Sequence, residues 1–198
     1  MFYGNTLFQP VVIKTAFGYD DADDDNINDA DEFSELVDNI RDSMILSAIA
    51  LPGYFVAIAL IGTRLCFKFI QTPRYIQIQG FAFMAIIYFI ISEMWDVLTQ
   101  HHWLLVFLYG STFFFSNYGP NTTTFMLPSI TFSPDCRSTL NGISAASGKA
   151  GALFGALMFQ PISSKYGDAK VMQLCALTSV FAGIITMLCT KPPRTDGH

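Results

Sequence analysis

The sequence predicts an all-α integral membrane protein, and three observations lead there. Charged residues make up only 14% of the 198 residues, where a soluble domain carries about 25%. Mean hydropathy is +0.40, with 52% of residues hydrophobic and 15% aromatic. The apolar residues are gathered into long runs almost free of charge, of the length a helix needs to cross about 30 Å of hydrocarbon. A water-soluble enzyme and a disordered regulator are both disfavoured by this composition. The net charge of −5 argues against a nucleic-acid binder, which shows a basic face. Cys66, Cys136, Cys175 and Cys189 stand far apart with no Cys-x-x-Cys pair, against the spacing of a zinc ribbon or a disulfide-rich module.

Taken in order, residues 2–13 read as the tail of an apolar helix whose beginning lies upstream. They show no basic n-region and no small-residue cleavage site, so a secretory signal peptide is not expected. Residues 20–42 hold 11 of the 16 acidic residues and a single base, Arg41. That segment sums to −10 and leaves the remainder of the chain at +5. Five complete spans are then expected: Met44–Thr63, 20 residues without a charge; Ile76–Ser92, stopping before Glu93 and Asp96; Leu104–Met126; Ser138–Phe159, interrupted only by Lys149; and Val171–Cys189. Alternate connections hold Arg64, Lys68 and Arg74, then Arg137, then Lys191 and Arg194. The opposite side holds only Lys165 and Lys170, beside Glu93, Asp96, His101 and His102. The six-base side is therefore expected in the cytoplasm and the acidic insert outside.

The acidic insert invites a calcium reading. Asp21, Asp23, Asp25 and Glu32 match positions 1, 3, 5 and 12 of an EF-hand loop, but Asn26 replaces the glycine of position 6. The aliphatic residue expected at position 8 is instead at 7, as Ile27. The competing reading is a solvated acidic loop. Residues 33–40 place Phe33, Leu36, Val37 and Ile40 on one helical face.

Candidate binding residues lie inside the spans. Gly119-Pro120 interrupts the third, where a proline removes a backbone donor and frees the carbonyl of Ser116. Either a structural kink or a helix broken at a binding site follows. Ser116, Asn117, Tyr118, Asn121, Thr122, Thr123 and Thr124 cluster around that point, with an amide and hydroxyls able to donate to an oxyanion or to pair between helices. The fourth span is rich in small residues, and Gly148…Ala152 and Gly151…Gly155 predict close helix packing. Lys149 sits about 17 Å into that span. A buried ammonium costs at least about 2.5–3.5 kcal/mol on insertion scales, so a carboxylate, a cavity or an anionic ligand must compensate. No carboxylate stands at that depth in the other spans, which favours an anion. His101, His102 and His198 have no nucleophile nearby, so no enzyme and no cofactor are expected.

Two stretches go further. The run Phe113-Phe114-Phe115-Ser116-Asn117-Tyr118-Gly119-Pro120-Asn121-Thr122-Thr123-Thr124-Phe125, and Arg137-Ser138-Thr139 with Gly142-Ile143-Ser144-Ala145-Ala146-Ser147-Gly148-Lys149-Ala150-Gly151-Ala152, closely resemble the plant and fungal phosphate:proton symporters of the major facilitator superfamily. Phe2-Tyr3 with Leu7-Phe8-Gln9, and Ala50-Leu51-Pro52-Gly53-Tyr54, are similar to the end of that family's seventh helix and to its eighth. The resemblance implies the C-terminal half of a twelve-helix fold: residues 1–13 as the remnant of helix 7, 14–43 as an acidic extracellular insert, and 44–198 as a five-helix bundle with a short cytoplasmic tail. It implies Lys149, Asn121 and Tyr3 as phosphate-binding residues, and inorganic phosphate, protons, the lipid bilayer of a plasma membrane and an N-terminal half as partners. The family's helix-seven aspartate, four residues before the tyrosine, would precede Met1. The chain departs from the family at the cytoplasmic gate, where Thr63, Ile130 and Asp135 replace charges. A carrier for another anion, such as a glycerophosphodiester, and a non-transporting phosphate-sensing or calcium-responsive relic are the alternatives.

Overall fold

The computed structural model describes residues 12, 29–63 and 72–190, and every regular element among them is helical. α1 spans Asp29–Leu60, α2 Pro73–Glu93, α3 the single turn Trp95–Leu98, and α4 His102–Ser116. A π-helical turn, Asn117–Asn121, leads without a break into α5, Thr122–Thr131. α6 spans Arg137–Tyr166 and α7 Asp168–Cys189. Pro73 opens α2 at the position where its missing N–H costs nothing. Gly167, at φ +83°, separates α6 from α7 with a backbone turn that a side chain would strain.

Three of these helices are long and apolar enough to cross a membrane: α1 over Ser43–Leu60, α2 and α7. The other two expected spans depart from that pattern for separate reasons. The third is divided by the π turn into α4 and α5, which with the turn make an unbroken helical rod from 102 to 131. The fourth, α6, is built from so many glycines, serines and alanines that few large apolar side chains remain along it. α1 also begins well before the apolar window, so the helical second half of the acidic insert runs straight into the first span. Large apolar side chains cover the outside, with Leu188 80% and Trp103 75% exposed, a surface suited to lipid rather than water.

The main core gathers Leu46 and Ala50 of α1, Met84, Tyr88 and Ile91 of α2, Leu105, Tyr109 and Phe113 of α4, and Val171, Met172 and Cys175 of α7. Val12, the one described residue of 1–13, is buried in it. α2 and α7 form the most extensive pairing, followed by α1 with α4. A hydrogen-bonded ladder reinforces the first of these at its Arg74 end. The Arg74 Nη2 donates to the carbonyl of Met187 at 2.8 Å. Gln77 donates to the Thr186 hydroxyl at 3.2 Å and accepts from Thr123 Oγ1 at 3.1 Å, tying α7, α2 and α5 together. Both hydroxyls also reach a backbone carbonyl, Thr186 to Ala182 and Thr123 to Gly119. Gln77→Leu therefore leaves neither hydroxyl stranded, and we expect it to lower stability by only about 1 kcal/mol, read from the midpoint shift of denaturant-driven unfolding in mixed micelles.

Close helix approach occurs at other glycines than those the small-residue pairs predict. A Cβ at Gly53 of α1 would collide with the carbonyl of Phe114 and lie 3.1 Å from the amide nitrogen of Tyr118. One at Gly80 of α2 would lie 2.5 Å from the Cα of Gly119. At Gly142, Gly148 and Gly151 of α6 a Cβ would meet nothing within 4 Å. Among the described residues α6 touches only α5 and α7 closely, and it is exposed along most of its length.

Candidate functional site

The π turn is the centre of the polar region, and the sequence explains why it forms. Pro120 has no N–H to offer the preceding helix, so the chain widens by one residue through Asn117–Asn121. The three threonines that follow return their hydroxyls to the loosened carbonyls. Thr122 Oγ1 donates to Asn117 at 2.5 Å, Thr123 Oγ1 to Gly119 at 2.8 Å, and Thr124 Oγ1 to Pro120. The Thr122 and Thr124 protons are thus committed to backbone, and that of Thr123 is shared between Gly119 and Gln77 of α2. The expectation that the threonines donate to an oxyanion is corrected here: the first demand on them is the widened turn, whose carbonyls face no water in a membrane.

The asparagines knit the turn to α1. Asn117 Nδ2 donates to the carbonyl of Ala50 at 3.1 Å. Asn121 Nδ2 donates to Asn117 Oδ1 at 2.9 Å and also to the hydroxyl of Tyr54. Tyr118 donates to Gln79 Oε1 at 2.7 Å on the α2 side. Sequence reasoning passes over Tyr54, although it stands one residue after Gly53, whose missing side chain admits α4 and the π turn. The free edge of Asn121 is its Oδ1, and the Tyr54 hydroxyl beside it keeps a proton to donate.

Lys149 stands thirteenth in α6, about 18 Å along the helix from Arg137. It is exposed, and among the described residues no acid pairs with it. Its neighbours along the helix, Gly148 and Gly151, leave the surface beside it open. No hydrogen bond joins Lys149 to Asn121. The two residues lie on adjoining helices that converge on the loop 132–136, at comparable heights above it. Tyr3 lies outside the described residues, as do Asp21, Asp23 and Asp25 of the calcium reading. Glu32 lies in α1, with its side chain outside the described set.

Thr63, Ile130 and Asp135, which the resemblance would put at a cytoplasmic gate, fall at one end of the bundle. α1 and α4 run parallel, since Gly110 faces Ile49 and Gly53 faces Phe114. Thr63 therefore closes α1 at the end where α5 stops and α6 starts. Its hydroxyl donates to the carbonyl of Leu60 at 2.7 Å. Ile130 is 64% exposed, and Asp135 is exposed in the 132–136 loop.

Known proteins resemble this chain over most of its length. Inorganic phosphate transporter 1-11 of Oryza sativa subsp. japonica is 36% identical over 180 residues, covering 87% of this chain and 30% of the relative. Low affinity inorganic phosphate transporter 5 of Petunia hybrida is 36% identical over 170 residues, 83% of this chain and 31% of the relative. Inorganic phosphate transporter PT2 of Toxoplasma gondii is 30% identical over 194 residues, 98% of this chain and 31% of the relative. The chain spans about three tenths of the length of these curated relatives. These names are of transporters, not enzymes. The family model described as sugar (and other) transporter matches residues 40–192, from within α1 to just past α7. With that match extending over all the described membrane helices, the chain belongs to the sugar (and other) transporter family of the major facilitator superfamily.

Proposed function

We propose that this chain forms the C-terminal half of a proton-coupled inorganic phosphate transporter, with Lys149 as the cation that faces the anion. The observation that carries the reading is Lys149 itself. An ammonium midway along a 30-residue helix, unpaired among the described residues and beside Gly148 and Gly151, has no structural use that would balance its cost in a membrane. An oxyanion supplies the missing charge. The relatives, named as inorganic phosphate transporters, suggest which oxyanion to try first. Asn121 and Tyr54 provide neutral hydrogen bonds across from the lysine, and Tyr3 is assigned to the same site. Residues 14–43 form an acidic extracellular insert and 44–198 a five-helix bundle, seated in a plasma membrane.

Transport proceeds by alternating access, with this half rocking against an N-terminal half about the midplane site. Proton coupling falls to carboxylates outside the described spans, since the described acids nearest them, Asp42, Glu93, Asp96, Asp135 and Asp168, stand at or beyond the ends of the spans. The test is equilibrium binding of radiolabelled inorganic phosphate to the purified chain in lipid nanodiscs, with unlabelled phosphate and a glycerophosphodiester as competitors. Phosphate is expected to displace the label at concentrations at least about tenfold below the diester. Equal or stronger displacement by the diester would move the substrate to the larger anion.

A further inference from the structure

A cavity of about 330 Å³ opens between α5 and α6, lined by Thr124, Phe125 and Pro128 on one side and Asn141, Ser144 and their neighbours on the other. Neither Lys149 nor Asn121 lines it, but it lies between the same two helical segments. Asn121 at the end of the π turn and Thr124, Phe125 and Pro128 on α5 make one stripe at helical spacing. On α6, Asn141 is eight residues before Lys149, about 12 Å along the axis and about 80° round it. Both helices run from the level of the lysine towards the loop 132–136, so the cavity lies below the lysine on the side assigned to the cytoplasm. Arg137 stands one helical turn further on, with its Nε donating to the carbonyl of Phe132 at 3.3 Å.

The chemistry of the lining is unbalanced. Asn141 Oδ1 is buried with no hydrogen-bond partner, a condition native proteins rarely leave standing. Among the described residues the Ser144 hydroxyl has no partner either. The Thr124 hydroxyl gives its proton to Pro120 and keeps lone pairs free. The cavity therefore offers acceptors at Asn141 and Thr124 and donors at Ser144 and the Asn141 amide, with no charge of its own. A fully deprotonated oxyanion satisfies only the donors. An oxyanion that keeps a hydroxyl satisfies both sets.

We propose that this cavity is a second oxyanion subsite, between Lys149 and Arg137, that takes phosphate in its protonated, hydrogen-bond-donating form on the way to or from the cytoplasm. The proposal rests on the phosphate reading of Lys149. It adds a neutral resting place between two cations, and with it a preference for phosphate over sulfate, which has no hydroxyl at neutral pH.

The experiment uses the full 198-residue chain in phosphorus-free glycolipid bilayers, with nitrogen-15 in asparagine and lysine side chains. Inorganic phosphate is added, and dephasing of each side chain by phosphorus-31 is read by solid-state NMR. Phosphate is expected to dephase both Lys149 and Asn141, and excess sulfate to remove the effect at Lys149 while sparing Asn141. Asn141→Asp, nearly isosteric but anionic and read through a carbon-13 label in its carboxylate in place of the lost amide nitrogen, should weaken phosphate occupancy of the cavity at least about tenfold while Lys149 still responds. Dephasing at Lys149 without Asn141 would overturn the subsite and leave the phosphate reading standing. Dephasing at neither would overturn both. Equal loss at both positions on adding sulfate would overturn the selection of a protonated anion.

Discussion

Lys149→Met is expected to abolish specific phosphate binding, raising the dissociation constant at least about a hundredfold. A hydrogen bond to a charged group contributes about 1.5–3 kcal/mol, and the lost ion attraction in a poorly screened site adds to it. A hundredfold corresponds to about 2.7 kcal/mol. The variant is informative because its structural cost is small. Lys149 touches no partner among the described residues, and methionine keeps the length of its stem. Removing the charge relieves the insertion penalty of about 2.5–3.5 kcal/mol, so the variant should be at least as stable as the parent while failing to bind. A purely structural lysine, paired with an acid elsewhere, gives the opposite signature: destabilisation on substitution. Lys149→Arg should recover part of the binding, because the charge stays but the planar guanidinium presents its donors differently. Binding retained within about threefold in Lys149→Met would remove the lysine from the site.

The sequence makes some of this legible and hides the rest for physical reasons. Lys149 is visible because a lone charge in an apolar run breaks a strong rule. The Pro120 interruption is visible because proline cannot donate. The response to the interruption is not. Thr122, Thr123 and Thr124 look the same in sequence whether their hydroxyls face a ligand or fold back on their own carbonyls, and the structure shows the second. Tyr54 is hidden because its partner, Asn121, is 67 residues away and nothing local marks the pair. The small-residue pattern of α6 suggests tight packing, yet Gly148 and Gly151 meet nothing. A small-residue stripe reports that something can approach closely without saying what or where.

Gly80→Val is the substitution expected to cost most stability. A Cβ on Gly80 would lie 2.5 Å from the Cα of Gly119, 2.9 Å from Pro120 Cδ and 3.1 Å from the carbonyl of Phe115. All three belong to the α4 rod or its π turn, and none is the end of a flexible side chain. The turn cannot yield easily, since its proline has a fixed φ, Thr123 links it to Gln77 on α2, and Tyr118 to Gln79. Even Gly80→Ala must push the two backbones apart, and overpacking of this kind typically costs about 1–3 kcal/mol. Valine adds two more carbons at the same point, enough to separate α2 from the π turn and disrupt both hydrogen-bonded links. The matched control is Gly151→Ala, where the added methyl meets open space and gains roughly 1 kcal/mol of helix propensity. Unfolding of the purified chain in mixed micelles should therefore rank Gly151→Ala as neutral or stabilised, Gly80→Ala as clearly weakened and Gly80→Val as unable to hold the bundle. If Gly80→Val instead unfolds with the parent, the α2–π turn contact does not hold the bundle together. The same pair of glycines then separates packing from function: a Gly151→Ala variant that stays folded but loses phosphate binding would place the open face of α6, beside Lys149, against the ligand.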